Sequence, residues 1–318
     1  MFFKRNKRLF TLILIILSLT LAACGNNNGN DNTSEGTNPD ETITMTDPLG
    51  HEIAVPANPK RVIASYLEDH LITLGVTPVA QWSVSNGTQA YLQSYLTDVP
   101  TVPHDLPFEV VASYEPDLLI VGNDALVEGG KYEQYAQIAP TYVLGDEVTG
   151  DWRQSLLKIG EVLQLSDKAQ EALDAYDQKA AEAKETIQQS VGNQSVAAIW
   201  LVAKQFYVVR DDVSSGAVLY QDLGLTVPDV VKEVSESGTG NWNPISLEKL
   251  AELDVDHLFL VNSDGDQAKV LLEDPLWQGI PAVKNGNVYE YPRESSWLYS
   301  GVIANSQIID DVLENLVP

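Results

Sequence analysis

From Ser166 to Val191 the chain runs for about 26 residues without a proline or glycine, and Ala, Glu, Gln and Lys dominate the stretch. Such a segment specifies one unbroken helix, about 39 Å long at 1.5 Å per residue. Ser166-Asp167-Lys168-Ala169 reads as its start, with Ser166 as the N-cap and an acid in the first turn. A rod of that length matches the width of a small domain. It either lies along one domain or joins two, and its surroundings favour the second arrangement.

On each side, short apolar runs alternate with helical segments. Upstream, Arg61–Ser65, Asp117–Gly122 and Thr141–Leu144 read as strands, and Glu68–Leu74 and Glu109–Tyr114 as short helices. Downstream, Val196–Val202, Gln205–Arg210, His257–Asn262 and Val288–Tyr291 read as strands. Ala217–Leu223, Leu247–Leu253, Ala268–Leu272 and Val302–Leu316 read as helices. This alternation indicates α/β lobes with mostly parallel sheets. The expected organisation is an N-terminal α/β lobe over 43–150, a linker region over 151–193 holding the long helix, and a C-terminal α/β lobe over 194–318.

The first residues read as an address. Lys4, Arg5, Lys7 and Arg8 precede the apolar run Leu9–Leu21. That run is too short for a membrane span, which needs about 20 apolar residues, but suits an export signal over 1–23. It ends in Leu21-Ala22-Ala23-Cys24, and Cys24 is the only cysteine of the chain. The tetrapeptide resembles the lipobox of bacterial lipoproteins, whose cysteine is acylated and becomes the mature N-terminus. The alternative is a chance cysteine after an ordinary signal. Residues 25–40 are mostly Gly, Asn, Asp, Ser and Thr, so 24–42 reads as an acylated cysteine followed by a flexible tether. The expected location is the cell membrane, held by acyl chains and facing the extracellular or periplasmic side.

The chain carries 19 Lys+Arg against 45 Asp+Glu, a formal charge of −26. Losing the four N-terminal cations with the signal would take it to about −30. An acidic surface of this kind repels phosphate backbones and excludes nucleic-acid binding.

Two segments correspond internally. Glu109-Val-Val-Ala112-Ser-Tyr-Glu115-Pro-Asp117 and Glu248-Lys-Leu-Ala251-Glu-Leu-Asp254-Val-Asp256 share Glu, Ala, acid and Asp at matched offsets, and each runs into an apolar strand. Pro107 and Ser246, two residues upstream, suit helix entry. An acid in a first turn complements the helix dipole by about 0.3–1 kcal/mol without any function. The residues alone leave open whether the two glutamates are a structural habit or a functional pair.

At this point the chain resembles the substrate-binding lipoproteins of ABC importers for iron-siderophore complexes and cobalamin. The resemblance spans about residues 43–318. It rests on Asp47-Pro-Leu-Gly50, Val55-Pro-Ala-Asn-Pro-Lys-Arg61-Val and Leu74-Gly75-Val76-Thr77-Pro78-Val79. It rests also on the Glu109 segment, Leu219-Tyr-Gln-Asp-Leu-Gly-Leu225, and Trp297 followed by Ile308-Ile-Asp-Asp-Val312. The order of these motifs carries the resemblance more than any one of them. It implies an α/β fold of two Rossmann-like lobes joined by a single long helix, with a ligand cleft between the lobes. It implies a monomer that is not an enzyme, captures a ferric siderophore and delivers it to ABC permease subunits. It places Glu109 and Glu248 as the permease-docking residues. Iron would be held by the siderophore's oxygens, with no direct protein ligand and no cofactor.

Candidate cleft residues are those expected at strand ends and loops: Trp82 in the first lobe; Trp200, Tyr207, Arg210, Trp242, Arg293, Trp297 and Tyr299 in the second. Aromatic rings supply broad apolar contact, and guanidinium groups supply forked donors for oxygens around a chelated metal. Trp200, in an alternating apolar run, fits core packing as well as ligand contact. Trp242, Trp297 and Tyr299 sit in polar surroundings, where a large ring suits ligand contact. Arg210 and Arg293 stand beside acids and could equally form surface salt bridges.

A ferric tris-catecholate is strongly anionic and needs clustered Lys and Arg. Beyond the signal, the arginines are only Arg61, Arg153, Arg210 and Arg293, so a near-neutral ferric hydroxamate fits better. Cobalamin, haem or a catecholate complex are the alternatives within the family. A zinc or manganese receptor, or a surface lipoprotein without a small ligand, is the alternative outside it. His51, His70, His104 and His257 show no HxH or HExxH spacing, and no nucleophile-elbow or P-loop motif occurs.

Overall fold

Apolar runs that end at turn residues build a three-stranded and two two-stranded sheets ahead of the long helix and a five-stranded sheet after it. The computed structural model describes residues 41–85 and 87–318; the export signal, Cys24 and nearly all of the tether lie outside the described residues. The described chain opens with an antiparallel hairpin, β1 (Thr42–Thr46) and β2 (Glu52–Pro56). Strand β3 (Val62–Ile63) leads into helix α1 (Glu68–Thr73). Strands β4 (Gln81–Ser83) and β5 (Thr101–Pro103) pair in parallel. Helix α2 (Phe108–Ser113) precedes β6 (Leu118–Val121), which lies between β3 and β7 (Thr141–Val143) in a three-stranded parallel sheet. All four residues of β6 are buried, as a strand covered on both faces requires.

Helix α3 (Trp152–Val162) follows, then α4 (Ser166–Val191), whose bounds match the Pro- and Gly-free segment. The N-cap is Leu165 rather than Ser166, which is already the first helical residue. The buried stripe of α4, Ala169, Leu173, Tyr176, Ala180, Ala183 and Ile187, recurs every three or four residues. Ala169 and Leu173 belong to the core of the first lobe, with Leu118, Tyr142 and Ile159. Tyr176, Ala180, Ala183 and Ile187 belong to the core of the second, with Val196, Phe259 and Ile308. One helix thus completes both cores.

The second sheet comprises β8 (Val196–Val202), β9 (Gln205–Val209), β10 (Trp242–Ile245), β11 (His257–Asn262) and β12 (Val288–Pro292) in the order β10-β9-β8-β11-β12. The pairings of β11 with β8 and with β12 are parallel, whereas β9 is reversed and pairs antiparallel with both β8 and β10. This half is therefore mixed rather than mostly parallel. The cause is the two-residue turn Ala203-Lys204, with φ of 50° and 62°, which leaves no room for a crossover helix. Neither residue is glycine, and Asp264 holds the turn by accepting both of its amides at 2.7 Å.

The C-terminal helix α6 (Val302–Leu316) is a second tie between the lobes. Ile308, Ile309, Val312 and Leu316 pack in the second core. Ala304, in its first turn, packs with Tyr91, Leu92 and Leu96 of the first lobe. The start of α6 is capped from α1: Asp69 accepts the amides of Ile303 at 3.1 Å and Ala304 at 2.9 Å. The Tyr91 hydroxyl donates to the same carboxylate at 3.1 Å. Gly301 (φ 142°) lies so close that a Cβ there would sit 2.3 Å from the Asp69 carboxyl carbon, so this glycine makes room for the cap.

The internal correspondence has a structural part. Asp117 accepts the amides of Lys60 and Arg61, just ahead of β3. Asp256 accepts the amide and hydroxyl of Ser195, just ahead of β8. In each lobe the repeated Asp pins the entry of the neighbouring parallel strand. The repeated glutamates have no such task. Glu109 in α2 and Glu248 in α5 (Leu247–Leu250) are exposed, each one residue into its helix after the caps Pro107 and Ser246.

Candidate functional site

In α/β folds, ligands gather where parallel strands end and loops begin. β3 ends at Ile63, and Ser65 and Tyr66 follow; β6 ends at Val121, and Gly122 and Asn123 follow. These residues line a cavity of about 400 Å³. Trp82, His70, Gln89 and His104 extend the first-lobe wall, and Trp152 and Ser155 of α3 contribute from the linker. Ser214, Asn241, Leu298, Tyr299 and Ser300 close the cavity from the second lobe. Among the described residues its wall holds no Lys or Arg.

Tyr66 stands at the mouth, half-exposed, with φ of 66°. A bulky residue in the left-handed region costs about 1–2 kcal/mol, which the surrounding contacts offset. Its ring centroid is 4.8 Å from that of Trp82 and 6.3 Å from that of Tyr299, and Tyr299 lies 4.9 Å from Tyr91. The result is an aromatic wall shared by the two lobes.

Behind that wall α1 begins with three titratable residues in a row, all buried: Glu68, Asp69 and His70. Glu68 accepts the backbone amide of Trp82 at 2.6 Å, and its second oxygen has no hydrogen-bond partner. Burial pushes its carboxyl up to about 8, leaving it protonated at neutral pH. Burial also raises Asp69, to about 6, against the pull of its amide and hydroxyl donors. It lowers His70 to about 4, so the imidazole is neutral. Ser65 Oγ, His70 Nδ1 and Gln89 Oε1, on residues that line the cavity, are buried and unpartnered.

Of the residues expected at the cleft from sequence, Trp82 and Tyr299 line the cavity. Trp200, Tyr207 and Trp242 do not; they form a cluster of their own on one face of the second sheet, with ring centroids 5.3 and 6.1 Å from Trp200. Trp200 donates to Ser263 at 2.9 Å, while the Trp242 indole nitrogen is buried and unpartnered. Trp242 opens β10, opposite Val209, and is not a loop residue. Arg210 pairs with Asp212 at 2.5 Å, although its Nε is buried without a partner. Arg293 is half-buried and outside the wall.

Trp297 departs furthest from expectation. It is 0% exposed, stacks on Phe259 at 4.6 Å and donates to Asp311 at 2.8 Å. The short turn Ser296–Leu298 drives this ring into the second core, while Leu298 and Tyr299 face the cavity.

Sequence reasoning passed over Tyr66, His70, Gln89 and Asn123. The usable signal was position: Ser65-Tyr66 and Gly122-Asn123 directly follow the first two strands of the parallel sheet. Among the described residues, no group of three or more His, Cys, Asp or Glu side chains could hold a metal ion. No described helix is long and apolar enough to cross a membrane.

Known proteins share this architecture. The family model described as periplasmic binding protein matches residues 65–294. The iron(3+)-hydroxamate-binding protein FhuD of Bacillus subtilis is 30% identical over 282 residues, covering 87% of each chain. The crystal structure of a periplasmic binding protein component of a Fep/Fec-like ferrichrome ABC transporter from Bacillus subtilis superposes with a TM-score of 0.72 at 25% identity, over 86% of this chain and 99% of that one. Staphylococcus aureus SirA complexed with staphyloferrin B gives 0.71 at 23% identity, over 86% and 98%.

Proposed function

The chain belongs to the periplasmic binding protein family, and on that premise we propose that it is the substrate-binding component of an ABC importer that captures a ferric siderophore of the hydroxamate class. Members of this family carry a substrate to a permease and do not transform it. The observation that carries the ligand class is the cavity wall: aromatic faces and neutral polar groups from both lobes, with no Lys or Arg on it among the described residues. A tris-catecholate of about three negative charges would stand there without countercharge. A near-neutral hydroxamate complex meets apolar ring area and hydrogen-bonding groups instead. The name of the 30%-identical relative agrees with this choice.

Two further parts complete the reading. Cys24, acylated, would hold the protein at the outer face of the membrane on the tether. Glu109 and Glu248, exposed and without hydrogen bond or ion pair among the described residues, would enter cationic pockets of the paired permease subunits and set the register of docking.

A melting-temperature screen tests the ligand assignment. A ferric trihydroxamate at a thousand times its dissociation constant stabilises the native state by about 4 kcal/mol, a shift of several degrees. We expect that shift with ferric hydroxamates and little with ferric catecholates, haem or cobalamin. A shift confined to one of the latter would overturn the assignment.

A further inference from the structure

Helix α3 packs in the first core through Leu156, Ile159 and Val162, yet its first turn reaches the second lobe. Asp151 caps that turn and accepts the amide of Arg153 at 2.9 Å, which fixes the course of the two residues after it. Trp152 lines the cavity and packs against both cores. Arg153 lays its guanidinium over the same ring, with Cζ 4.4 Å from the Trp152 centroid and 5.2 Å from that of Tyr176 in α4. Its Nη2 donates to Asp222 at 2.9 Å and to Asp177 at 3.1 Å. Asp222 ends the π turn Val218–Asp222, whose Val218, Leu219 and Tyr220 are buried in the second core. The Tyr176 hydroxyl donates to this carboxylate at 2.6 Å.

One guanidinium therefore has its face on a cavity ring and its edge on a carboxylate of the other lobe. The side chains of Arg153 and Asp222 are 30% and 12% exposed, against 54% for Asp177. The pair with Asp222 is thus the better shielded from water and counts for more than an exposed pair. Apolar packing on α4 and α6 holds the lobes together but is non-directional. A charge-assisted hydrogen bond supplies the direction that packing lacks.

We propose that Arg153 is a positioning residue for ligand capture: its clasp on Asp222 sets the angle between the lobes in the empty protein, and its guanidinium face holds the Trp152 ring in the cavity wall. The ligand then meets a wall already in place, which lowers the ordering cost of binding. The role in capture rests on the reading of the cavity as the ligand site; the angle needs no ligand.

Two measurements test the clasp. Lys131→Cys and Lys284→Cys, exposed and one in each lobe, carry spin labels for a pulsed dipolar distance measurement in the protein with Cys24→Ser, which removes the only natural cysteine. The empty protein should give one narrow distance distribution. Arg153→Gln and Asp222→Asn should each broaden it and weaken binding of a ferric trihydroxamate, followed by tryptophan fluorescence, about tenfold. The double variant should lose no more than either single one, because both cut the same contact. Asp222→Asn still accepts from Tyr176 and so guards against misfolding of the arginine variants. Arg153→Lys, which keeps the charge but neither the flat face nor the fork, should bind as weakly as Arg153→Gln. An unbroadened distribution in Arg153→Gln overturns the clasp. Wild-type affinity in a variant whose melting temperature alone has fallen overturns the role in capture. A parent protein that binds no ferric trihydroxamate overturns the hydroxamate reading, and the distance measurement still decides the clasp.

Discussion

Asp69→Ala is expected to destabilise the protein by about 2 kcal/mol at pH 7 and to release the start of the last helix. The substitution orphans the amides of Ile303 and Ala304 and the Tyr91 hydroxyl, all held by this one carboxylate. Loss of a helix cap costs about 1 kcal/mol, and buried polar groups left without a partner cost more. Refund of the carboxylate's own desolvation reduces the sum. Because the cap joins residues 234 and 235 positions apart, the effect is local to the junction of the lobes. Hydrogen exchange at Ile303 and Ala304 should accelerate well before that of β8 or β11. The pH dependence has a definite sign. With a native value of about 6 against an ordinary 3.8, the folded state binds more protons than the unfolded one between those values. The stability owed to Asp69 therefore falls as pH rises from about 4 to 6. The deficit of the Ala variant should accordingly be larger near pH 4 than at pH 7. Unchanged exchange in the first turn of α6 would show that the cap does not hold the junction.

Reversing both exposed glutamates, Glu109→Lys with Glu248→Lys, should cut siderophore-dependent uptake at least about thirtyfold while ligand affinity and melting temperature stay within error. Surface positions without partners change stability by no more than about 0.5 kcal/mol, and neither residue lines the cavity. A charge that must enter a cationic pocket is worth several kcal/mol at an interface, and its reversal adds repulsion. Uptake at the wild-type rate would remove both residues from docking. Loss of ligand binding in the purified variant would place their effect in the cleft instead.

Local signals made much of the architecture legible before the structure. The long helix was bounded by the absence of Pro and Gly, and β8, β11 and α6 coincide with their apolar runs residue for residue. Neighbours distant in sequence hid the rest. Trp242 reads as a loop residue because Gly, Asn and Pro244 surround it; its strand exists because β9 turns back at Ala203-Lys204 and offers an edge. Trp297 sits in a polar stretch, yet β11 and α6 close over it. The acidic run Glu68-Asp69 looks solvent-facing, and only the arrival of Gly301–Ala304 and the amide of Trp82 explains its burial. Candidate site residues followed the same division. Trp82 and Tyr299 stood out as large rings near strand ends, whereas Tyr66 depends on a backbone conformation that side-chain type does not announce.

The most direct test is the position of iron in crystals grown with a ferric trihydroxamate, read from the anomalous signal at the iron edge. One peak should appear in the cavity, between Tyr66 and Trp82 on one side and Ser214, Asn241 and Tyr299 on the other, with no protein nitrogen, oxygen or sulfur within a bonding distance of about 2.6 Å. A peak bonded to His70 or His104, or one lying outside the space between the lobes, would contradict capture of an intact ferric complex.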